Sequence, residues 1–144
     1  MNLEQAISIA SLAHEGQLDK GGEPYILHPL RVMMHLDDKK QRIVAVLHDV
    51  IEDTKITDQY LLDQGLNYEL VNVVLTLTRC KNESYDEYLK RICFDEFAII
   101  IKLADLEDNM DMSRLKNPIG KDYDRLKKYG NAREKLMNAL VNLQ

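Results

Sequence analysis

Apolar positions recur along most of the chain at intervals of three and four, the mark of helices that each bury one face. Leu3, Ala6, Ile7, Ala10 and Ala13 predict a first helix that ends near Gly16. The stretch from Gln17 to Tyr25 (Q-L-D-K-G-G-E-P-Y) has paired glycines and a proline and predicts a loop. His28-Pro29 then starts a second helix, with proline at the first helical position and Leu30, Val32, Met33 and Leu36 following. Asp38 is suited to cap a third. Thr57 opens a short helix through Leu61 and Leu62 that stops at Gly65, and Asn67 caps the next, which carries Leu70, Val71, Val74, Leu75 and Thr78. Ser84-Tyr85-Asp86-Glu87 is a capping box ahead of Tyr88, Leu89 and Ile92. Between Phe97 and Met112, A-I-I-I-K-L-A-D-L fits a buried strand or a buried helix. Its length and the lack of bounding turn residues favour the helix. Asn117-Pro118-Ile119-Gly120 predicts a turn, and a last helix uses Leu126, Tyr129, Leu136, Met137 and Leu140. With no repeat or linker in view, the expectation is one all-α domain over residues 1–144, a compact bundle.

The pattern breaks its own rule in one place. Ile43 to Thr54 reads I-V-A-V-L-H-D-V-I-E-D-T. On one continuous helix, His48, Asp49, Glu52 and Asp53 fall within an arc of roughly 140°, with Ala45 inside it. Ile43, Val44, Val46, Leu47, Val50 and Ile51 cover the rest. Such a helix is predicted to be central and buried, with one polar stripe facing a cavity. Three carboxylates cannot be buried bare, since each costs several kcal/mol to desolvate without a partner. Like charges crowded at four-residue spacing also destabilise a bare helix. A divalent metal answers both problems.

Length and composition narrow the picture without deciding it. A chain of 144 residues, 45% hydrophobic and 30% charged, is ordinary for a soluble globular protein. The net charge of -5 argues against a nucleic-acid or anionic-membrane binder, though not against a small phosphorylated ligand in a locally basic pocket. No apolar run approaches about 18 residues, so no membrane span is expected. Cys80 and Cys93 form no C-x-x-C, which suits a reducing, cytoplasmic setting. The M-N-L-E-Q start carries no basic signal segment, and no protein partner is readable.

Three more segments add chemistry. Lys102, Asp105 and Asn109 sit at three- and four-residue spacing among Ile99, Ile100, Ile101, Leu103 and Leu106; an Asp105–Lys102 ion pair is the plain alternative to a ligand role. His28 is a ligand candidate whose bland alternative is a core or capping histidine. His14 and His35 lack such carboxylate neighbours and are read as structural. His28, His48, Asp49 and Asp105 together make an N₂O₂ set with room for water, suited to Mn²⁺, Fe²⁺ or Zn²⁺. Glu52 and Asp53 lie outside that set and are general-base or proton-shuttle candidates.

These segments, H-E-G-Q from His14, K-G-G-E-P-Y-I-L-H-P from Lys20, H-D-V-I-E-D-T from His48 and K-L-A-D-L-E-D-N from Lys102, resemble the RelA/SpoT-type HD-domain hydrolases, especially the small stand-alone alarmone hydrolases. The resemblance runs over nearly the whole chain, in order. It implies an all-α fold, a single Mn²⁺ and removal of the 3′-pyrophosphate from (p)ppGpp. It further implies that His28, His48, Asp49 and Asp105 are the metal ligands, that Glu52 and Asp53 are the catalytic acidic pair, and that Asn109 helps to hold the nucleoside. Lys20 falls in the family's nucleotide-binding loop, and Lys81, Arg125 and Tyr129 match positions lining the substrate pocket. Asp19 departs from the pattern, which has arginine there, so relaxed base selectivity that extends to ppApp is an expectation. The length leaves no room for a synthetase domain, so the expectation is hydrolysis alone. A general HD-domain nucleotidase and a non-catalytic nucleotide-sensing module are the competing readings.

Overall fold

Capping and burial divide the chain into nine α-helices and one 3₁₀ turn in a computed structural model that describes all residues, Met1–Gln144. The first two helices, α1 (Leu3–Ala13) and α2 (Leu27–Met34), flank the loop that holds Gly16 and Gly22. In α1 the Asn2 and Gln5 side chains exchange bonds with each other's backbone N–H, satisfying two donors that a helix start leaves free. Asp38, Thr57, Asn67 and Ser84 each accept a backbone N–H at the start of α3 (Lys39–Leu47), α5 (Asp58–Asp63), α6 (Tyr68–Thr76) and α7 (Tyr85–Ile92), and Ser84 with Glu87 repeats the reciprocal exchange. Asp95 caps α8 (Glu96–Asn109), so the β-branched A-I-I-I run is helical. That helix ends earlier than Met112, which instead begins a 3₁₀ turn through Arg114. The last helix, α9 (Gly120–Leu143), is about 36 Å long.

The unbroken central helix expected from Ile43 to Thr54 does not form. α3 stops at Leu47 and a separate turn of helix, α4 (Val50–Asp53), follows a corner at His48-Asp49. The cause is local. The Ala45 carbonyl accepts from the His48 backbone N–H at 3.4 Å and from His48 Nδ1 at 2.6 Å, so it is not left for the Asp49 N–H that would continue the helix. The expected burial of all three carboxylates is corrected too: Asp49 is largely buried, whereas Glu52 and Asp53 are exposed.

α3 packs against α1, α2, α6 and α8, and α8 in turn meets α2, α7 and α9. Their shared core includes Val44, Leu47, Ile99, Ile101 and Leu106, all fully buried. Each such side chain contributes about 1.5–3 kcal/mol from leaving water. His48 lies at the C-terminal end of α3, His28 at the start of α2 and Asp105 in the last turns of α8, so packing these three helices brings the polar residues together at one end of the core. No helix is long and apolar enough to cross a membrane.

Candidate metal centre and cleft

His28, His48 and Asp49 present ligand atoms that all lie within 4.8 Å of one another. His48 Nε2 is 3.1 Å from Asp49 Oδ2 and 3.4 Å from Asp105 Oδ1. His28 Nε2 is 2.9 Å from the same Asp105 oxygen and 3.7 Å from the same Asp49 oxygen. Ligands at about 2.1 Å from one ion stand about 3.0 Å apart at octahedral and about 3.4 Å apart at tetrahedral angles. These spacings bracket that range. His48 Nε2 is buried with two carboxylate oxygens within 3.4 Å but no hydrogen bond of good geometry to either, the arrangement of a ligand atom rather than of a paired donor. His28, His48 and Asp49 fit a divalent first-row ion, and Asp105 Oδ1, close to both imidazoles, could complete the set.

Each of the four is held from behind. Ala45 fixes His48, as described. Asp105 splits its oxygens: Oδ2 accepts from Lys102 Nζ at 2.7 Å, and Oδ1, facing the centre, also accepts from Asn109 Nδ2 at 3.0 Å. The Lys102 pairing read as an alternative to a ligand role is therefore present alongside the geometry for one. Tyr25 donates its hydroxyl to Asp49 Oδ2. Burial first, then the Asp49 charge, pushes the Tyr25 hydroxyl well above its ordinary range, so it remains a donor. Asp108 Oδ2 accepts from His28 Nδ1 at 2.7 Å. Burial works against charge on His48, but the Asp49 and Asp105 carboxylates outweigh it and raise the imidazole well above its usual value. Burial likewise opposes charge on Asp49, but the His48 imidazolium outweighs it and holds the carboxyl at about 2.

Glu52 and Asp53 stand at the rim, and with Asp49 they form a second acidic group within 4.8 Å. Glu52 Oε1 accepts from the Arg79 backbone N–H at 2.7 Å. The loop carrying Arg79 is pinned by a two-pronged Arg91–Glu83 pair at 2.5 and 2.8 Å, and Glu83 Oε1 also accepts from the Cys80 N–H. Partial burial, then the charges of Asp49 and Glu52, pushes Asp53 up to about 6.

Two cavities meet at this centre. The smaller, about 280 Å³, holds Glu52 and Asp53 together with Arg79, Lys102 and Lys128. The larger, about 710 Å³, is lined by Asp19, Lys20, Arg31, Arg114, Lys116 and Arg125 among others. Tyr25, His28, Asn109 and Tyr129 line both. Lys81 is exposed in its turn and lines neither; Arg79 and Lys128 supply the cations on that side. Arg125 is paired with Asp122 at 2.5 Å. Asp19 turns inward on its own loop, its Oδ1 accepting from the Gly21 and Glu23 N–H groups at 2.8 and 2.9 Å, around Gly22 at φ 83°. His14 is buried, its Nδ1 against Gln17 Oε1 at 2.9 Å and its ring 4.9 Å from that of Tyr25.

Sequence reasoning passed over Tyr25, Arg79, Asp108 and Lys128. Asp108 had a readable signal, since it follows Asp105 by three residues on the same helix face. Arg79 and Lys128 had none beyond their charge.

The comparisons with known proteins are consistent with this geometry. A guanosine-3′,5′-bis(diphosphate) 3′-pyrophosphohydrolase of Haemophilus influenzae is 38% identical over 117 residues, which is 71% of this chain and 17% of that protein. The bifunctional (p)ppGpp synthase/hydrolase SpoT of Escherichia coli is 38% identical over 122 residues, 75% of this chain and 17% of its own length. A solved structure of a metazoan SpoT ortholog, described as hydrolysing ppGpp and acting in starvation responses, superposes with a TM-score of 0.77. That match covers 96% of this chain and 84% of the other at 23% identity. The chain is a relative of the RelA/SpoT-type HD-domain hydrolases. No family model matches it. The matched segment spans about 17% of the length of these curated relatives, and the fold is the all-α bundle shared with the metazoan SpoT ortholog.

Proposed function

We propose that this chain is a pyrophosphohydrolase that uses a divalent metal, Mn²⁺ by preference, to remove the 3′-pyrophosphate from (p)ppGpp-like nucleotides. The observation that carries the reading is the convergence of His28, His48, Asp49 and Asp105 beneath Glu52 and Asp53, where two cation-lined cavities join. The names of the bacterial relatives support the same substrate. The free thiols of Cys80 and Cys93 support a cytoplasmic, reducing setting.

The four convergent residues would hold the ion, which supplies a water of lowered pKa and positive charge for phosphoryl oxygens when bound. Glu52, kept in place by the Arg79 N–H, takes the proton of the attacking water. The water oxygen bonds to the phosphorus next to the ribose, and the P–O bond to the 3′ oxygen breaks. Asp53, beside Glu52 at the rim, gives that leaving oxygen a proton. Arg79, Lys102 and Lys128 bear on the departing pyrophosphate. Lys20, Asn109, Arg125 and Tyr129 border the space for the nucleoside and its 5′-phosphates, and Asp19 shapes the loop beneath it.

The test is metal content of the purified protein together with product analysis. Mn²⁺-dependent release of pyrophosphate from ppGpp is the expected result. Orthophosphate released from 5′-monophosphates, with ppGpp untouched, would assign a general nucleotidase instead. Tight ppGpp binding without turnover in the metal-loaded protein would leave a sensing module.

A further inference from the structure

Asp108 is the most heavily engaged carboxylate outside the four convergent residues. It is 4% exposed, and its Oδ2 accepts from His28 Nδ1 across 80 positions of sequence. On its other side Arg31 Nε donates to Oδ1 at 2.7 Å and Arg31 Nη2 to Oδ2 at 3.2 Å. Arg114 Nη2 donates to the Asp108 carbonyl at 3.0 Å and lies 3.5 Å from Oδ2. An ionised carboxylate only accepts, so the proton between Asp108 Oδ2 and His28 Nδ1 sits on Nδ1; Nε2 faces Asp105 Oδ1 at 2.9 Å, where an ion would displace any hydrogen it carries.

We infer that Asp108 is a positioning residue for His28: it fixes the imidazole with its hydrogen on Nδ1 and its Nε2 toward the centre, while Arg31 and Arg114 hold the carboxylate in that orientation. His48 achieves the same by a different route, through the Ala45 carbonyl. The inference rests on the proposed metal site, because a ring nitrogen can ligate an ion only if it carries no hydrogen.

The two obvious substitutions separate positioning from simple packing. In Asp108→Asn the amide has one acceptor oxygen. The Arg31 Nε contact, short and charge-assisted, claims it. The amide NH₂ then faces His28 Nδ1, which must become the acceptor, so the hydrogen moves to Nε2 and points into the metal site. In Asp108→Ala the space admits water, which can accept from Nδ1, and Arg31 and Arg114 are partly exposed and reach solvent. Because asparagine has nearly the shape of aspartate, a packing role would make Asp108→Asn the milder change by every measure.

The experiment measures the Mn²⁺ dissociation constant by electron paramagnetic resonance and the absorption spectrum of the Co²⁺-substituted protein. It adds ¹⁵N-histidine NMR of the metal-free protein at alkaline pH, and thermal melts in chelator. Asp108→Asn should weaken Mn²⁺ binding by about 10–100-fold and alter the Co²⁺ spectrum. Asp108→Ala should weaken binding less. The NMR should show hydrogen on Nδ1 of His28 in the native protein and on Nε2 in Asp108→Asn. Metal affinity that follows the melting order, with Asp108→Asn milder than Asp108→Ala, would overturn the inference, as would an unchanged tautomer. If the native protein binds no divalent ion, the metal reading falls, and the NMR arm alone decides whether Asp108 sets the ring.

Discussion

Replacing Asp105 by alanine should damage the protein twice, by separable routes. Asp105 and Lys102 are 5% and 11% exposed at their side chains and meet at 2.7 Å. Burial opposes the charge on Lys102, and the Asp105 carboxylate outweighs it, so the ammonium stays charged. Asp105→Ala removes that charge's ion-pair partner and leaves the Tyr88 ring, 5.3 Å away, packed against it. Breaking a buried ion pair by removing one partner costs about 3–5 kcal/mol. Lys102 also borders the smaller cavity, where water can reach it, so the lower end, about 3 kcal/mol, is expected. For a chain of this size that corresponds to a fall in Tm of roughly 6–12 °C. Urea unfolding in the presence of a chelator isolates this loss from the loss of bound metal. Asp105→Asn, which keeps an acceptor for Lys102, should cost clearly less. The double change Lys102→Met with Asp105→Ala should recover more than half the stability and still bind no Mn²⁺. A loss below about 1 kcal/mol for Asp105→Ala in chelator, or no recovery in the double variant, would refute the reasoning.

Asp49→Ala should abolish Mn²⁺ retention, read by metal analysis after dialysis, and turnover with it. Glu52→Gln should keep metal binding and lower kcat by about 10²-fold or more, and a change confined to KM would make Glu52 a binding residue. Metal uptake should release protons: burial opposes charge on His28 and His48, but the neighbouring carboxylates outweigh it and raise both above their ordinary value, so in the metal-free protein they stabilise the fold fully below about pH 6.5 and lose that contribution as pH rises through the raised values. Mn²⁺ displaces the same protons, so affinity should climb with pH across that window, and calorimetry in two buffers of different ionisation enthalpy should count the protons released; none at neutral pH would contradict this. Asp19→Asn should leave the loop and the kinetics intact, whereas Asp19→Arg should raise KM for ppGpp and ppApp alike; a change selective for ppGpp would show that position 19 reads the base.

Much of the fold was legible because its signals are local. Asp38, Thr57, Asn67 and Ser84 each cap where a polar residue precedes an apolar period, and the burial of Ile99, Ile101 and Leu106 follows from their density. The corner at His48 was not legible, since it depends on an imidazole reaching its own helix's carbonyl, which no pattern of apolar residues encodes. The closeness of His28, His48, Asp49 and Asp105 could be anticipated from residue type. Of the residues that hold them, Asp108 alone carried a signal, its spacing from Asp105; what it, Tyr25 and (behind Glu52) Arg79 touch was not legible, because those contacts join segments 80, 24 and 27 positions apart. Lys81 shows the limit of reading by position: two residues away, Arg79 faces the cavity and Lys81 faces water.

The wall common to the two cavities, made by Tyr25, His28, Asn109 and Tyr129, bears on the order of events after bond cleavage. If the proposed hydrolysis takes place at the centre, the small anionic piece would lie on one side of these residues and the larger nucleoside piece on the other. Each side is rimmed by exposed residues, Lys128 on the one and Lys20 and Lys116 on the other. On that reading neither fragment would stand in the other's way out, departure would be unordered, and each product should inhibit on its own, occupying its own side without waiting for its twin.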